Sequence, residues 1–152
     1  MKLYLDVSFE SHVTLSDDDR LSVEALTLSC KRYDGVDPAM YFDTHLNVVP
    51  GLKAWFLAWG KGHGDSRVLV AAARIFAPSR QEAELSVAVK PPYRRQGLFR
   101  ALMAMTRQAL CQAGVVRLLL AVDARRGYGA LIADSLGAVR SHGEHMMSLL
   151  RD

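Results

Sequence analysis

The fold of this 152-residue chain is decided by residues 84–102, which read ELSVAVKPPYRRQGLFRAL. The first six of these residues predict a strand that ends at the two prolines. A helix begins at Leu98, because apolar residues recur there at helical spacing until Gly114, a typical helix stop. The nearly continuous apolar run 115–122 predicts a strand that is buried on both faces. Strand, helix and strand in this order predict a βαβ crossover with parallel strands.

The remaining elements follow from hydrophobic periodicity and turn residues. Before the crossover the patterns predict a strand at 2–9, a helix behind the capping box Ser16-x-x-Asp19, a short helix that begins at Asp37-Pro38, and a hairpin of strands 52–59 and 68–76. After it they predict a helix near 128–136 and a last strand at 144–150. This order places the chain in the α+β class, with a mixed sheet in a single domain over residues 1–152.

The composition argues against several classes of protein. Half of the residues are hydrophobic and 23% are charged, as in an ordinary folded domain. The net charge of +3 is spread along the chain, so we expect no nucleic-acid partner. No run approaches the ~20 apolar residues of a membrane span, so we expect a cytoplasmic protein without a membrane partner. Cys30 and Cys111 lack metal-ligand spacing; we interpret both as buried apolar residues and expect no metal.

The loop before the Leu98 helix has the features of a phosphate site. The first turn of a helix leaves its N–H groups unpaired, and the helix dipole adds about half a positive charge there. A phosphate at that point accepts several backbone hydrogen bonds at once. Gly97 lets a ligand approach closely because it has no Cβ, and Arg94, Arg95 and Arg100 add charge. The alternative interpretation is an ordinary turn beside solvated arginines.

Residues 83–102 resemble motif A of the GNAT acetyltransferases, in which Arg or Gln, two residues, Gly, one residue and a small residue follow a strand. Arg94 and Gly97 match this pattern in register. Phe99 replaces the last small residue, a departure that some similar bacterial members share. The order of elements along the chain is also that of a GNAT domain. The resemblance implies a mixed, mostly antiparallel sheet with a central, splayed parallel strand pair and flanking helices.

The same resemblance implies that acetyl-CoA is the co-substrate. Backbone amides of the loop and the first helical turn would hold its pyrophosphate. Backbone groups of the preceding strand would pair with the pantetheine arm as an added strand does. The residues expected to bind acetyl-CoA on this basis are Val87, Ala88, Val89, Arg94, Arg95, Gln96, Gly97, Leu98, Phe99 and Arg100.

The activity implied by the resemblance is transfer of the acetyl group to an amine, in a small molecule or a protein, within a ternary complex. An ammonium group with a pKa of ~10.4 must lose its proton before it attacks, and an acid should protonate the leaving thiolate. Glu84 is the candidate base, since carboxylates near this point serve as bases in some members. The usual acid is a Tyr four residues before the Gly that closes the last helix. That position is Ala133 here, so Tyr128 and His145 are the candidate acids.

Two classes of function stay open because the usual Tyr is missing. The first is an N-acetyltransferase, and the second is a catalytically silent module that binds acyl-CoA as a sensor or regulator. Glu84 has its own alternative interpretation, as a carboxylate that faces solvent or pairs with an arginine. The sequence determines neither the acceptor nor the oligomeric state, for which a homodimer is one option.

Overall fold

The computed structural model of the chain describes residues 6–123, 125 and 127–143. Two compact units divide the chain, Met1–Ala121 and Val122–Asp152, so a single domain stays a prediction. The described elements of the first unit are β1 (Val7–His12), α1 (Asp17–Asp34), β2 (Trp55–Lys61), β3 (Arg67–Phe76), β4 (Glu82–Val89), a 3-10 turn (Pro91–Tyr93), α2 (Leu98–Gln112) and β5 (Arg117–Leu120). The second unit contains α3 (Gly127–Ser135).

The five described strands form one sheet in the order β1-β2-β3-β4-β5. The first three pairings are antiparallel, and β4 pairs with β5 in parallel across the α2 crossover. Helix α1 packs against β3 and β4, and α2 packs against β2, β3 and β4. The two helices bury separate clusters, which places them on opposite faces of the sheet. The prediction of an α+β fold with a mostly antiparallel sheet and one parallel pair is confirmed.

Helix α1 begins and ends where its capping residues predict. The Asp19 backbone N–H donates to Ser16 Oγ at 3.2 Å, which satisfies one unpaired donor of the first turn. At the other end Gly35 has φ of 70°, and its N–H donates to the Lys31 carbonyl at 2.8 Å. Glycine adopts this left-handed conformation without the steric cost of a Cβ, so the helix stops there.

The predicted helix at Asp37-Pro38 is wrong, because residues 35–54 contain no helix. The Ala39 N–H donates to Asp37 Oδ1 at 2.9 Å, and Ala39 has φ of 52°, outside the helical region. Aspartate side chains compete in this way with helical hydrogen bonds. Farther along, Asn47 Oδ1 accepts from the Ala77 N–H at 2.7 Å. The segment is therefore an irregular loop that is bound to the end of β3.

The predicted strand at 115–122 is shorter and less buried than expected. β5 has four residues, and its side chains are exposed or half-buried. In the described sheet it lies at the edge, with β4 as its neighbour, so its side chains lack the cover that an interior strand has. The expectation that both cysteines are buried is half right: Cys30 is buried against the sheet, whereas Cys111 is exposed.

The strands predicted at the two ends of the chain lie partly or wholly outside the described residues. The first strand was expected at 2–9; β1 spans Val7–His12, and residues 1–5 are outside the described part. The strand expected at 144–150 lies entirely outside the described residues. The hairpin strands expected at 52–59 and 68–76 are present, with bounds shifted by up to three residues.

Candidate active site

The parallel pair of strands is joined over only part of its length. β4 pairs with β5 from Glu82↔Arg117 to Leu85↔Leu120. Beyond Leu85, residues 86–89 pair with β3 alone among the described residues. One edge of β4 is therefore open along its carboxyl-terminal half, at the position where the splayed pair was expected.

The hydrogen bonds of β4 show which of its backbone groups face this open edge. The Lys90 N–H donates to the Val70 carbonyl of β3 at 2.9 Å. Backbone groups alternate in direction along an antiparallel strand, so Ala88 also faces β3, whereas Val87 and Val89 face the opposite way. The Val89 carbonyl accepts from Arg94 Nε at 2.9 Å on that side. The N–H and C=O of Val87 and the N–H of Val89 are thus directed to the open edge.

The loop after β4 turns further amides toward one region. Arg95 and Gly97 have positive φ of 61° and 89°, on either side of Gln96. Alternation of left-handed and ordinary conformations makes a concave set of N–H groups that suits anions. Gly97 caps α2 without a side-chain hydrogen bond, and the first turn contains no acidic residue. The amides of the first turn, beginning with Leu98, therefore have no helical acceptor.

Arg94 is engaged within the protein rather than directed to solvent. Its Nη1 and Nη2 donate to the two carboxylate oxygens of Asp34 at 2.8 and 2.6 Å. Its side chain is 30% exposed and that of Asp34 is 13% exposed. The hydrogen bonds to Asp34 raise the pKa of the Arg94 guanidinium. Because Nε binds the Val89 carbonyl, Arg94 fixes the loop to the end of α1 and to the end of β4.

The remaining residues expected to bind acetyl-CoA divide by exposure. Arg95 and Arg100 are exposed, and neither is in an ion pair within the described part of the chain. The side chains of Leu98 and Ala88 are buried in the core, so these residues offer only backbone groups. Gln96 Nε2 donates to the Pro92 carbonyl at 3.1 Å, which tightens the loop.

Glu84, the candidate base, is exposed on β4 beside the open edge. It lies opposite Phe76 of β3 and opposite Leu119 of β5. This exposure fits the alternative interpretation of Glu84 as a carboxylate that faces solvent. Its neighbour Glu82 pairs with an arginine, since the Glu82 carboxylate accepts from Arg117 at 2.7 Å. Glu84 is in no ion pair with another described residue, although its charge acts on the guanidinium of Arg74.

The two candidate acids are placed less completely. Tyr128 lies in α3 of the second unit, with its side chain 49% exposed. His145 lies outside the described residues. Ala133, which occupies the position of the family's usual Tyr, is in α3, and Gly137 follows that helix with φ of 70°.

Sequence patterns missed two residues near this site. One is Asp34, which no sequence pattern singled out as a site residue, although its carboxylate binds Arg94. Arg74 was passed over although it interrupts the apolar run of β3, and it is 5% exposed. An arginine inside a buried strand is the signal that could have identified it, because a charge is rarely buried without a partner.

Comparison with known proteins identifies the class. The family model described as the acetyltransferase (GNAT) family matches residues 22–131, which is most of the chain. The chain therefore belongs to the GNAT family of acetyltransferases. A comparison with curated proteins finds no match. In the described residues, no helix has the length and apolarity that a membrane crossing requires, and no cluster of three metal-ligating side chains occurs.

Solved structures of acetyltransferases share the fold. The ribosomal-protein-S18-alanine N-acetyltransferase from Escherichia coli is 23% identical, with a TM-score of 0.57 over 86% of this chain and 76% of that one. An aminoglycoside acetyltransferase from an uncultured soil metagenomic sample, solved with sisomicin, is 16% identical, with a TM-score of 0.59 over 95% and 97% of the two chains. The putative acetyltransferase yncA from Salmonella typhimurium, solved with acetyl-CoA, is 17% identical, with a TM-score of 0.57 over 86% and 78%.

Proposed function

We propose that the protein transfers an acetyl group from acetyl-CoA to an amine acceptor by direct attack in a ternary complex. The observation that supports this most is the continuity of the open β4 edge with the unpaired amides at the start of α2. An extended pantetheine arm needs the first and a pyrophosphate needs the second. Membership of the GNAT family supports the same assignment.

Acetyl-CoA would be held mainly by the backbone of the first unit. The Val87 and Val89 groups at the open edge would pair with the amides of the pantetheine arm. The amides of residues 96–100 would bind the pyrophosphate, and the exposed side chains of Arg95 and Arg100 would add charge attraction. Arg94 would contribute by holding the loop, since Asp34 already offsets its charge.

The chemical step needs a base near the amine. The neutral amine nitrogen attacks the thioester carbonyl carbon, a C–N bond forms, and the carbonyl electron pair moves to oxygen. An N–H at the open edge of β4 would stabilise that oxyanion. Collapse breaks the C–S bond and releases the thiolate. Before the attack, Glu84 would remove the proton of the ammonium group, directly or through water. Tyr128 or His145 would then protonate the released thiolate.

A thiol-release assay with acetyl-CoA and a panel of amines tests this proposal. Turnover with at least one amine is expected, together with CoA binding in calorimetry. CoA binding without turnover on any amine would instead favour the silent acyl-CoA-binding module, for which the Ala133 replacement is the supporting observation. Failure to bind CoA would reject both functions.

A further inference from the structure

Several buried donors without a hydrogen-bond partner lie in segments that adjoin β3. Four buried side-chain atoms of the described residues have no hydrogen-bond partner: Asn47 Nδ2, Trp55 Nε1, Arg74 Nε and Thr106 Oγ1. The first three are N–H donors in adjoining segments, because Trp55 and Arg74 are paired across β2 and β3, and Asn47 is bound to Ala77 at the end of β3. Buried donors without acceptors cost free energy, so an acceptor in the functional complex would stabilise those that it reaches.

Arg74 is the most unusual of these residues. It is 5% exposed, and in the described part of the chain no carboxylate lies within ion-pair distance of it. Its one hydrogen bond there runs from Nη2 to the Asp43 carbonyl at 2.8 Å, and its guanidinium lies 5.3 Å from the centre of the Phe76 ring. Burial lowers the pKa of the guanidinium, and the charges of Glu84 and Asp43 act in the opposite direction. The carboxylates of Glu84 and Asp43 offset part of this charge from beyond ion-pair distance, but Arg74 Nε has no acceptor among the described residues, and a buried donor left without one costs free energy.

Arg74 lies on the strand next to the proposed base. Arg74 lies opposite Ser86, and Phe76 lies opposite Glu84, so Arg74 and Glu84 are diagonal neighbours on one face of adjacent strands. Such neighbours are separated by about 7–8 Å between backbone positions. An acceptor whose amine is at Glu84 can therefore place a second group at Arg74 only if the two groups are a few bonds apart.

On the basis of the proposed function, we propose that Arg74 binds a carboxylate of the acceptor, so that the substrate is a small amino acid. A planar carboxylate presents two oxygens to N–H donors and neutralises the guanidinium. It would satisfy Arg74 Nε and accept from the neighbouring unpaired Trp55 or Asn47 donor. The Asp43 carbonyl of the 41–47 loop accepts from Nη2, and the ligand carboxylate would bind Nε, which this loop leaves without an acceptor.

The test compares matched acceptors that differ in this one group. Glycine, β-alanine and 4-aminobutyrate are each measured against the corresponding carboxamide, by thiol release and by calorimetric titration of the CoA complex. Phosphoethanolamine replaces the carboxylate by a phosphate. We expect a preference of roughly 10- to 100-fold for the acid over the amide, as for one charge-assisted hydrogen-bonded contact. The amides hold the larger fraction of neutral amine, so amine ionisation cannot produce this preference.

Substitution then assigns the preference to Arg74. Arg74→Met should abolish it, and Arg74→Lys, which keeps the charge in a weaker geometry, should retain part of it. Arg67→Met, an exposed arginine on the same strand, should leave it unchanged. Urea denaturation verifies that each variant is folded. If Arg74→Met does not fold, the preference of Arg74→Lys and the acid-to-amide ratio of the wild type decide whether Arg74 binds the carboxylate.

Binding and turnover separate the two proposals. Carboxylate-dependent binding without turnover would reject acetyl transfer to these amines but keep the Arg74 site. Turnover with equal use of acid and amide would keep acetyl transfer and overturn the Arg74 site. Persistence of the preference in Arg74→Met, or a preference for phosphoethanolamine over β-alanine, would also overturn it.

Discussion

The ion pair between Arg94 and Asp34 leads to a prediction that separates structural from ligand-binding arginines. Arg94→Met removes two charge-assisted hydrogen bonds and leaves the Asp34 carboxylate, which is 13% exposed, without its guanidinium. It also removes the donor to the Val89 carbonyl. We expect this variant to be less stable than the wild type and to bind CoA more weakly, because the loop is no longer fixed.

The size of the effect follows from the burial of the pair. Breaking a fully buried pair costs about 3–5 kcal/mol, and exposed pairs contribute about 0–1 kcal/mol. Because Arg94 is 30% exposed, screening by solvent places the expected cost between these limits, near 2 kcal/mol. For a domain of this size that cost corresponds to a fall in Tm of roughly 4–8 °C.

Arg100→Met is the matched control. Arg100 is exposed at the start of α2, where a cation opposes the helix dipole. Its replacement should leave the free energy of unfolding within about 0.5 kcal/mol of the wild type. CoA affinity should still decrease, and its dependence on salt should become weaker, because a screened charge attraction has been removed.

Urea denaturation measures the stability of both variants, and calorimetry at several salt concentrations measures their affinity for CoA. A double-mutant cycle with Asp34→Ala should show that the losses of Arg94→Met and Asp34→Ala are strongly non-additive. If Arg94→Met instead keeps wild-type stability and weakens the salt dependence as Arg100→Met does, Arg94 contacts the phosphates directly and our interpretation of the pair is wrong.

Three further predictions address the ligand, the chemistry and the core. Gly97→Asp should weaken CoA binding more than 10-fold in calorimetry, because it places a Cβ and a negative charge among the loop amides. The control Gly64→Asp should leave CoA binding unchanged, since Gly64 has a similar φ and open space around it. Glu84→Gln should lower turnover about 10²–10⁴-fold at pH 7 and less at pH 9, where more of the acceptor amine is neutral; equal losses would argue against a base. Leu102→Ala, at a fully buried position of α2, should cost about 2–5 kcal/mol in urea denaturation.

Local sequence signals predict the fold best where one interaction determines an element. The capping hydrogen bond of Ser16 and the left-handed Gly35 bound α1 as expected. The same kind of local rule wrongly predicts a helix at Asp37-Pro38, because proline suits a first helical position. There the Asp37 side chain binds the Ala39 N–H instead, and the residues that follow bind the end of β3. That contact is between segments 30 residues apart, so no local pattern reveals it.

The candidate site shows the same division. The glycine-capped helix that suits acetyl-CoA follows from one stretch of sequence, whereas the open strand edge depends on where β5 ends, at Leu120. The partners of the charged side chains do not follow from one stretch either, because Asp34 meets Arg94 across 60 residues. Sequence patterns identified the arginines of the loop as one group, and only their contacts distinguish Arg94, which is paired, from Arg95 and Arg100, which are exposed.

Acetyl-CoA would be bound mainly by backbone groups and the acceptor by side chains, so CoA affinity and acceptor specificity can change independently. Backbone amides and a strand edge tolerate replacement of most side chains, because every residue except proline carries the same backbone donor and acceptor. The groups that would select an acceptor are side chains, such as Glu84 and Arg74 on adjacent strands. Substitutions at Arg74 should therefore change which amine is used while CoA affinity stays constant, and substitutions at Gly97 should do the reverse. A variant of Arg74 that lost CoA affinity and acceptor preference together, while remaining folded, would contradict this separation.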